Sequence, residues 1–158
     1  MRKNKKIAYL GIGIALYVVL STMVIIPIVN RIKLDLGYII FGYYLKVFGY
    51  SSTIVAVAGC IISNLLKGGS FPIAWAIAQA FIAICLSYIF SKTKKTWIEI
   101  IASIIIMYIG IGLIKTFLEV LLFQLPLEAK LLSNFVAFIA DTIPLIIGIF
   151  LSRKIKIH

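Results

Sequence analysis

The sequence has little of the chemistry that soluble enzymes depend on. Charged residues make up 13% of its 158 residues, whereas soluble domains average about 25%, and hydrophobic residues make up 63%. The one histidine, His158, is the last residue, so a histidine-based catalytic or zinc site has almost no material. Cys60 and Cys85 lie in apolar runs without a Cys-x-x-Cys partner, which favours small buried side chains over redox or metal roles. We therefore expect an integral membrane protein with no metal site and no cofactor.

Motifs for nucleotide chemistry are incomplete. Lys115-Thr116 resembles the end of a P-loop, but the residue before the lysine is Ile114 and the required glycines are missing. The stretch GIGIAL, from Gly11 to Leu16, lacks the third glycine of a dinucleotide fingerprint and follows no predicted strand. The sequence thus predicts no enzyme and no catalytic residue, and any ATP-driven activity would require another subunit.

Long apolar runs dominate the chain and predict an all-α integral membrane protein. A spanning helix needs roughly 20 apolar residues, and the second and third runs are shorter than this, so they predict either thin spans or a re-entrant hairpin. We predict six transmembrane helices in one bundle, forming a single transmembrane domain over residues 1–158. The six runs are Ile7 to Val29, Leu36 to Tyr50, Ser52 to Leu66, Phe71 to Phe90, Trp97 to Phe123 and Leu131 to Leu151.

The net charge of +11 comes from basic residues in short clusters between these runs. That distribution is typical of membrane topology and not of a nucleic-acid interface. With six spans, eleven Lys and Arg residues, including Lys46, fall on one predicted side, against Arg31, Lys33, Lys67 and Lys130 on the other. Cytoplasmic loops carry the Lys/Arg excess, so we predict that both termini are cytoplasmic. Lys46 also favours true spans, because a re-entrant loop would place it deep in hydrocarbon.

Three charged side chains lie within the predicted spans. At a rise of about 1.5 Å per residue from Trp97, Lys115 reaches the outer edge of the hydrocarbon and Glu119 the headgroup region. Asp141 lies about 15 Å from the outer surface, near the middle of the bilayer. A carboxylate at that depth costs at least about 2.5 kcal/mol. It therefore requires a cation, hydrogen-bond donors, water or a raised pKa.

Polar residues at helical spacing form stripes on three of the predicted spans. Since lipid cannot solvate a polar stripe, we expect the stripes to face one another around a cavity open to the outside. The stripes are Trp75 and Gln79 on the fourth span, Tyr108, Gly112, Lys115 and Glu119 on the fifth, and Asn134 and Asp141 on the sixth.

The predicted substrate-binding residues of this cavity are Asn64, Trp75, Gln79, Lys115, Glu119, Asn134 and Asp141. Trp75 is expected to stack on a ring, the amides to donate and accept hydrogen bonds, and the charged residues to complement charges on a ligand. Simpler interpretations exist for most of them. Lys115 and Glu119 are also compatible with a local ion pair or with snorkelling to the headgroups. The amides are equally compatible with bonds between helices, and Trp75 with an interfacial belt.

Two further features predict contacts with other molecules. The polar loop NRIKLD, from Asn30 to Asp35, lies on the predicted outer side and is either a lid or an ordinary solvated connection. In the first span, Ala8, Gly11 and Ala15 recur at spacings of three and four. Small residues so spaced allow another helix to approach closely in a membrane, and we predict a docking face there.

Taken together, these features resemble the substrate-binding S components of energy-coupling factor (ECF) vitamin transporters over nearly the whole chain. The resemblance is carried by the six spans, the opening IAYLGIGIALYVVLS, the loop leading into LDLGYIIFG, and the short third span that contains glycine. The riboflavin-type branch of the family is the most similar, because a "DL…FG" pattern is common there.

The resemblance implies a subunit of the bacterial cytoplasmic membrane that captures a vitamin or related micronutrient from outside. A transmembrane scaffold (T) subunit and two ATPases then cause the S component to topple in the bilayer and release its cargo inside. Family members dock on the scaffold through an A-x-x-x-A face of the first helix, for which this chain has Gly11-x-x-x-Ala15, with Ala8 one turn earlier. The alternatives are a small structural or regulatory membrane protein, or an ion-coupled carrier that works alone.

Overall fold

The computed structural model describes residues 3–24, 26–29, 32–69 and 72–155, and for residues 3, 26–29, 32 and 33 it describes the backbone only. The predicted lid residues Asn30 and Arg31 lie outside the described residues. So do His158, Phe71 at the predicted start of the fourth span, and the basic residues Arg2 and Lys156.

The fold is a bundle of helices with one short hairpin of strands. Within the described residues, five helical stretches are long and apolar enough to cross a membrane: Asn4–Met23, Gly37–Leu66, Pro72–Lys92, Thr96–Phe123 and Leu127–Lys154. The elements in chain order are α1 (Lys3–Met23), β1 (Ile26–Val29), β2 (Ile32–Leu34), α2 (Gly37–Phe48), α3 (Ser52–Leu66), α4 (Pro72–Lys92), α5 (Thr96–Met107), a π-helical segment (Tyr108–Lys115), α6 (Thr116–Phe123) and α7 (Leu127–Lys154).

The stretch Gly37–Leu66 is a helical hairpin, divided into α2 and α3 by a 3₁₀ turn at Gly49–Ser51. Gly49 has φ +54°, which a glycine adopts without strain. Lys67 after α3 forms an ion pair with Asp35 before α2, with 3.2 Å between Nζ and Oδ2, so the two ends of the hairpin lie together. At about 1.5 Å per residue, α2 and α3 are about 18 and 22 Å long, shorter than an ordinary hydrocarbon layer.

The predicted first span is too long by six residues. The helix α1 ends at Met23, and Ile26–Val29 forms strand β1, which pairs with β2 in an antiparallel hairpin. Pro27 explains the end of the helix, because proline lacks the backbone N–H and disfavours the helical conformation in the residue before it. The loop predicted as a lid is therefore partly this hairpin, and β2 packs against α7.

Helices α2 and α7 cross at a pair of glycines. A Cβ on Gly42 would lie 2.2 Å from the carbonyl oxygen of Leu145, and a Cβ on Gly148 would lie 2.1 Å from the carbonyl oxygen of Ile39. Two backbones can approach this closely only where both helices lack a side chain. The crossing fixes the position of α2 against α7, and both helices contribute to the site described below.

The predicted polar stripe on the fifth span is correct at three of its four positions. Gly112, Lys115 and Glu119 are buried, but Tyr108 is 42% exposed and its ring packs against Phe138. The reason is the π-helical segment that begins at Tyr108, since its wider turns break the 3.6-residue periodicity from which the stripe was predicted.

A second group of charges lies at the opposite end of the bundle from Asp35 and Lys67. The Glu99 carboxylate is fully buried and bonds Lys46 of α2 at 2.6 Å and Arg153 of α7 at 2.9 Å. We call these three residues the clasp, and this end of the bundle the clasp end. Between the clasp and the Asp35–Lys67 pair lies an apolar core of side chains with no exposed surface, which includes Phe41, Val55, Ile82, Leu86, Met107 and Ile111.

Candidate functional site

A cavity of about 340 Å³ lies at the end of the bundle that contains Asp35 and Lys67, hereafter the cavity end. Residues of α1, α2, α3, α4, α6 and α7 line it, together with Leu34 of β2 and Lys115 from the π-helical segment. The lining is polar for the interior of a membrane bundle, with three lysines, three carboxylates, two tyrosines and two asparagines. A cavity of this size fits a small organic molecule.

Six of the seven residues predicted to bind a substrate line this cavity: Asn64, Trp75, Lys115, Glu119, Asn134 and Asp141. The seventh, Gln79, does not line it. Gln79 is fully buried and donates a hydrogen bond from Nε2 to the hydroxyl of Tyr38, which does line the cavity. The predicted stripes therefore converge, and the role of these residues in binding remains a prediction.

Lys115, Glu119 and Asn134 form a buried polar network on one wall. The Lys115 ammonium lies 3.2 Å from Glu119 Oε1 and donates to Asn134 Oδ1. The Asn134 amide nitrogen donates to Thr116 Oγ1 at 2.8 Å and to Glu119 Oε2 at 2.9 Å. Lys130 at the start of α7 lies 3.7 Å from the same Glu119 oxygen. Lys115 and Glu119 thus form a local ion pair, which is one of the two simpler interpretations given above. The pair is buried beside the cavity, so the other interpretation, snorkelling to the headgroups, does not apply.

Trp75 of α4 lines the cavity and also contacts Lys115. Its indole lines the cavity, and the Lys115 ammonium lies 4.1 Å from the ring centroid in a cation–π contact. Such a contact favours a fixed orientation of the ring relative to the ammonium. Asn64 is held by its own helix, since its Nδ2 donates to the carbonyl oxygen of Cys60 at 3.1 Å.

Asp141 of α7 lies against the tyrosine side of the cavity. It is 4% exposed and lines the cavity together with Tyr17 and Tyr38. The Tyr38 hydroxyl accepts a hydrogen bond from Gln79, and the Tyr38 ring lies 6.1 Å from that of Tyr17 of α1. Side chains of α1, α2 and α7 therefore form this part of the cavity wall, and Gln79 of α4 holds the Tyr38 hydroxyl from behind.

Sequence reasoning missed Asp35, which organises the entrance to the cavity. Its Oδ1 accepts hydrogen bonds from the hydroxyl of Ser21 and from the backbone N–H of Gly37, the latter at 2.9 Å, and its Oδ2 pairs with Lys67. One carboxylate thus joins the ends of α1, α2 and α3. The available signal was Asp two residues before Gly in LDLG, a pattern in which the aspartate side chain commonly bonds the backbone ahead of it.

Tyr17 and Tyr38 were also missed as lining residues. Each is 1% exposed, and their rings lie 6.1 Å apart. Tyrosine hydroxyls in apolar helices require a partner, which is a signal for a polar interior, but it does not identify the wall on which they lie.

The loop after α3 completes the rim of the cavity. The N–H of Gly68 bonds the carbonyl oxygen of Leu65 at 3.1 Å, and the N–H of Gly69 bonds that of Asn64 at 2.8 Å. Gly68 has φ +69°. This is a Schellman motif, which ends a helix with a glycine in the left-handed conformation. It positions Lys67 and Gly69 on the cavity rim.

Comparison with protein families gives a match over almost the whole chain. The family described as "ECF-type riboflavin transporter, S component" matches residues 1–156. Among solved structures, the S component for biotin from an ECF-type ABC transporter superposes with a TM-score of 0.66. That match covers 98% of this chain and 93% of the biotin S component at 19% sequence identity, so it supports a common fold only. Comparison with curated proteins gave no significant match.

The family match agrees with the bundle of apolar helices and with a polar cavity enclosed at one end. It also confirms the resemblance drawn from the sequence, including the riboflavin-type branch. The family consists of transport subunits and not of enzymes, and its members operate with a scaffold subunit and ATPases. The chain belongs to the family of S components of ECF-type riboflavin transporters and is a membrane-embedded substrate-binding subunit of an ECF importer.

Proposed function

We propose that the cavity at the cavity end is the substrate site, and that it captures a vitamin or related micronutrient from outside. The observation that carries this proposal is a cavity of about 340 Å³ that is lined by polar residues of several helices and lies inside a largely apolar bundle. Polar side chains within a membrane bundle are costly unless they serve a site or a network. The description of the family names riboflavin, so riboflavin is the first compound to test.

The cavity suggests a role for each predicted residue. Trp75 offers its remaining ring face to a planar group, since Lys115 covers the other. Asn64 and Asn134 donate or accept hydrogen bonds, and Lys115 with Glu119 forms a charged wall. Gln79 acts indirectly by holding the hydroxyl of Tyr38. The hairpin of β1 and β2 serves as the lid, because Leu34 lines the cavity and β2 packs on α7.

We propose that the cavity end faces outside and the clasp end faces the cytoplasm of a bacterial cell, with six spans, both termini inside, and all 158 residues in a single transmembrane domain. The chain path supports this orientation. The basic residues with described side chains are Lys67, Lys115 and Lys130 at the cavity end, and Lys5, Lys6, Lys46, Lys92, Lys94, Lys95, Arg153 and Lys154 at the clasp end. The excess at the clasp end is typical of the cytoplasmic side.

Release inside is proposed to need a T subunit and two ATPases, with docking on the small-residue face of α1. Ala8, Gly11 and Ala15 are all exposed, and a Cβ on Gly11 would meet no atom within 4 Å. A flat, unoccupied strip of this kind permits close approach by a helix of another subunit.

The binding proposal is tested by native mass spectrometry of the full chain purified from its membrane, followed by titration with riboflavin. We expect a bound small molecule in wild-type protein and its loss in Asp141→Ala. Protein that is folded but carries no compound and does not respond to riboflavin would favour a structural role. Uptake that depends on pH and requires no ATPase would favour a carrier working alone.

The docking proposal has a matched pair of variants at one position. Gly11→Leu places a large side chain on the strip, and Gly11→Ala adds one methyl group in open space. We expect Gly11→Leu to lose co-purification with the T subunit and ATPases while it retains the bound compound, and Gly11→Ala to behave as wild type. Full assembly of Gly11→Leu would exclude this face as the docking surface.

A further inference from the structure

An apolar groove lies at the clasp end, between the end of α4 and the first part of α5. It has a volume of about 290 Å³ and is lined by Trp97, Ala102 and five isoleucines, of which Ile89 belongs to α4 and the other four to α5. Trp97, Ile101 and Ile105 are among the exposed hydrophobic residues of the chain. The groove therefore opens to the surroundings of the bundle and not into its core.

The groove is about as long as one leaflet of a membrane. Its lining runs along α5 from Trp97 to Ile106, which is about 14 Å at a rise of about 1.5 Å per residue. The hydrocarbon of a bilayer is about 30 Å thick, so one leaflet provides about 15 Å. Tyr88 and Trp97, both more than half exposed, lie at the clasp end of the groove, and exposed aromatic residues mark the membrane interface. These dimensions fit one acyl chain that enters from the headgroup region at the clasp end.

The lining differs from a site for another transmembrane helix. Helices approach one another closely in membranes through small residues, and among the described residues that line the groove Ala102 is the only small one. The strip on α1 has three small residues, at Ala8, Gly11 and Ala15. The two surfaces also belong to different helices, because α5 packs on α4 and α7, whereas α1 packs on α2 and α3. A flexible acyl chain fits between branched side chains without requiring small residues.

Three lysines at the mouth of the groove carry positive charge that no described carboxylate neutralises. Lys92 ends α4, and Lys94 and Lys95 lie three and two residues before Trp97. All three lysines are exposed, and among the described side chains none of them has a carboxylate within 4.0 Å. The nearest acidic residue in the sequence is Glu99, which is fully buried within the clasp. Clustered lysines at a membrane surface attract anionic headgroups.

We propose that this groove binds an anionic phospholipid of the leaflet at the clasp end. One acyl chain lies in the groove against Trp97 and the isoleucines, and the phosphate lies at Lys94 and Lys95. The lysines give a preference for an anionic over a zwitterionic headgroup, because each lysine near an anionic surface contributes about a factor of five to binding. The groove is separate from the cavity and from the strip on α1, so this inference goes beyond the proposed function and does not depend on it.

The test uses Trp97 as a reporter in the wall of the groove. Trp75→Phe leaves it as the only tryptophan of the chain, and bromine atoms on an acyl chain quench tryptophan fluorescence on contact. The full-length Trp75→Phe protein is reconstituted in phosphatidylcholine vesicles that contain the same minor fraction of either brominated phosphatidylglycerol or brominated phosphatidylcholine. The two brominated lipids carry identical chains and differ in headgroup charge, so the quenching by each gives their relative affinity for the groove.

Headgroup selectivity is tested with two matched double variants in this background. Lys94→Gln with Lys95→Gln removes two lysines at the mouth, and Lys5→Gln with Lys6→Gln removes two neighbouring lysines of α1 at the same end of the bundle. We expect phosphatidylglycerol to bind at least about tenfold more tightly than phosphatidylcholine, from two factors of about five, and high salt to reduce this preference. The first double variant should lose the preference and the second should keep it. Equal quenching by the two lipids before the lysines are changed, or a preference that survives the loss of Lys94 and Lys95, would overturn the inference.

Occupation of the groove by an acyl chain is tested by filling it. Ala102→Leu adds a larger side chain to the lining, and Ala129→Leu makes the same change at an exposed position of α7 at the cavity end. We expect Ala102→Leu to lower the quenching of Trp97 by both brominated lipids and Ala129→Leu to leave it unchanged. Unchanged quenching in Ala102→Leu would show that the lipid lies elsewhere. Quenching that is full in the chain alone but absent in its complex with the T subunit and ATPases would assign the groove to a protein partner instead.

Discussion

Replacement of Gly148 by alanine should force α2 and α7 apart at the point where their backbones come closest. The added Cβ would lie 2.1 Å from the carbonyl oxygen of Ile39, 2.9 Å from its carbonyl carbon and 3.0 Å from the backbone nitrogen of Tyr43. All three atoms belong to the backbone of α2, so no side chain can rotate away to make room. Carbon and oxygen atoms in close but ordinary contact are about 3.3 Å apart, so the two backbones must separate by about 1.2 Å locally.

The size of the effect follows from two opposing contributions. Overpacking of a close contact costs about 1–3 kcal/mol, and more where the backbone has to move. Alanine gains up to about 1 kcal/mol over glycine from its higher helix propensity. Because the backbone of α2 has to move here, the upper part of the overpacking range applies, and we expect a net loss of about 2 kcal/mol in the free energy of unfolding. Because Gly42 presses on α7 at the same crossing, Gly42→Ala combined with Gly148→Ala should cost less than the sum of the two.

The measurement is thermal unfolding in a single detergent, followed by tryptophan fluorescence, with Gly11→Ala as the matched control. Gly11 is also a helical glycine, but a Cβ there meets no atom within 4 Å, so the control should melt at the wild-type temperature or slightly above it. Gly148→Ala should melt several degrees lower and should also bind its compound more weakly, since the crossing positions Tyr38 against Asp141. Equal melting temperatures for Gly148→Ala, Gly11→Ala and wild type would refute the close-contact argument.

Three further outcomes are expected. Glu99→Gln should lower the free energy of unfolding by about 1–3 kcal/mol, because Lys46 and Arg153 lose a charged acceptor. The same thermal unfolding experiment measures this, and no change would mean that the clasp contributes nothing to stability. Asn134→Ala should weaken binding of the retained compound in a titration, since the network on that wall loses its central amide, and full affinity would remove this wall from the site. In a Cys85→Ser chain, bound compound should slow labelling of Cys60 by N-ethylmaleimide, and equal rates with and without the compound would place the substrate elsewhere.

Much of the helical framework is predictable from the sequence because long apolar runs and glycine signals are local. The third predicted run, Ser52 to Leu66, has the same bounds as α3, since the Lys67-Gly68-Gly69 sequence provides the positive φ that ends it. The helical hairpin of α2 and α3 is also consistent with Lys46 at its turn. The predicted first span extends past the end of α1 because an apolar run of β-branched residues fits a strand as well as a helix, and Pro27 is the residue that distinguishes the two.

The cavity was predictable to the extent that polar residues in membrane helices must face the interior. That rule brings Trp75, Lys115, Asn134 and Asp141 to one place. The rule fails for Tyr108. The π-helical segment Tyr108–Lys115 rotates the residues after it relative to Tyr108, and no clear sequence pattern predicts such a segment.

The contribution of Asp35 could not be predicted from helical periodicity, because it depends on a loop and on contacts between residues far apart in the chain. Its partner Lys67 is 32 residues away and Ser21 is 14 residues away. The LDLG pattern that carried the family resemblance now has a physical explanation. Asp35 joins three helix ends, and a Cβ on Gly37 would lie 2.9 Å from the carbonyl oxygen of Tyr17, so glycine allows α2 to begin directly against α1.

The arrangement of buried charges bears on how cargo leaves the cavity. An apolar layer that includes Phe41, Ile82, Met107 and Ile111 separates the cavity from the clasp, and each of these side chains has no exposed surface. A polar molecule that moved straight through this layer would lose its hydrogen bonds in a close-packed interior, at a cost of several kcal/mol for each unpaired group. The glycine crossing of α2 and α7 further resists separation of the helices along that path. If other subunits dock on α1 as proposed, release by movement of the whole bundle in the membrane would avoid both costs, because it moves the mouth of the cavity and leaves its floor closed.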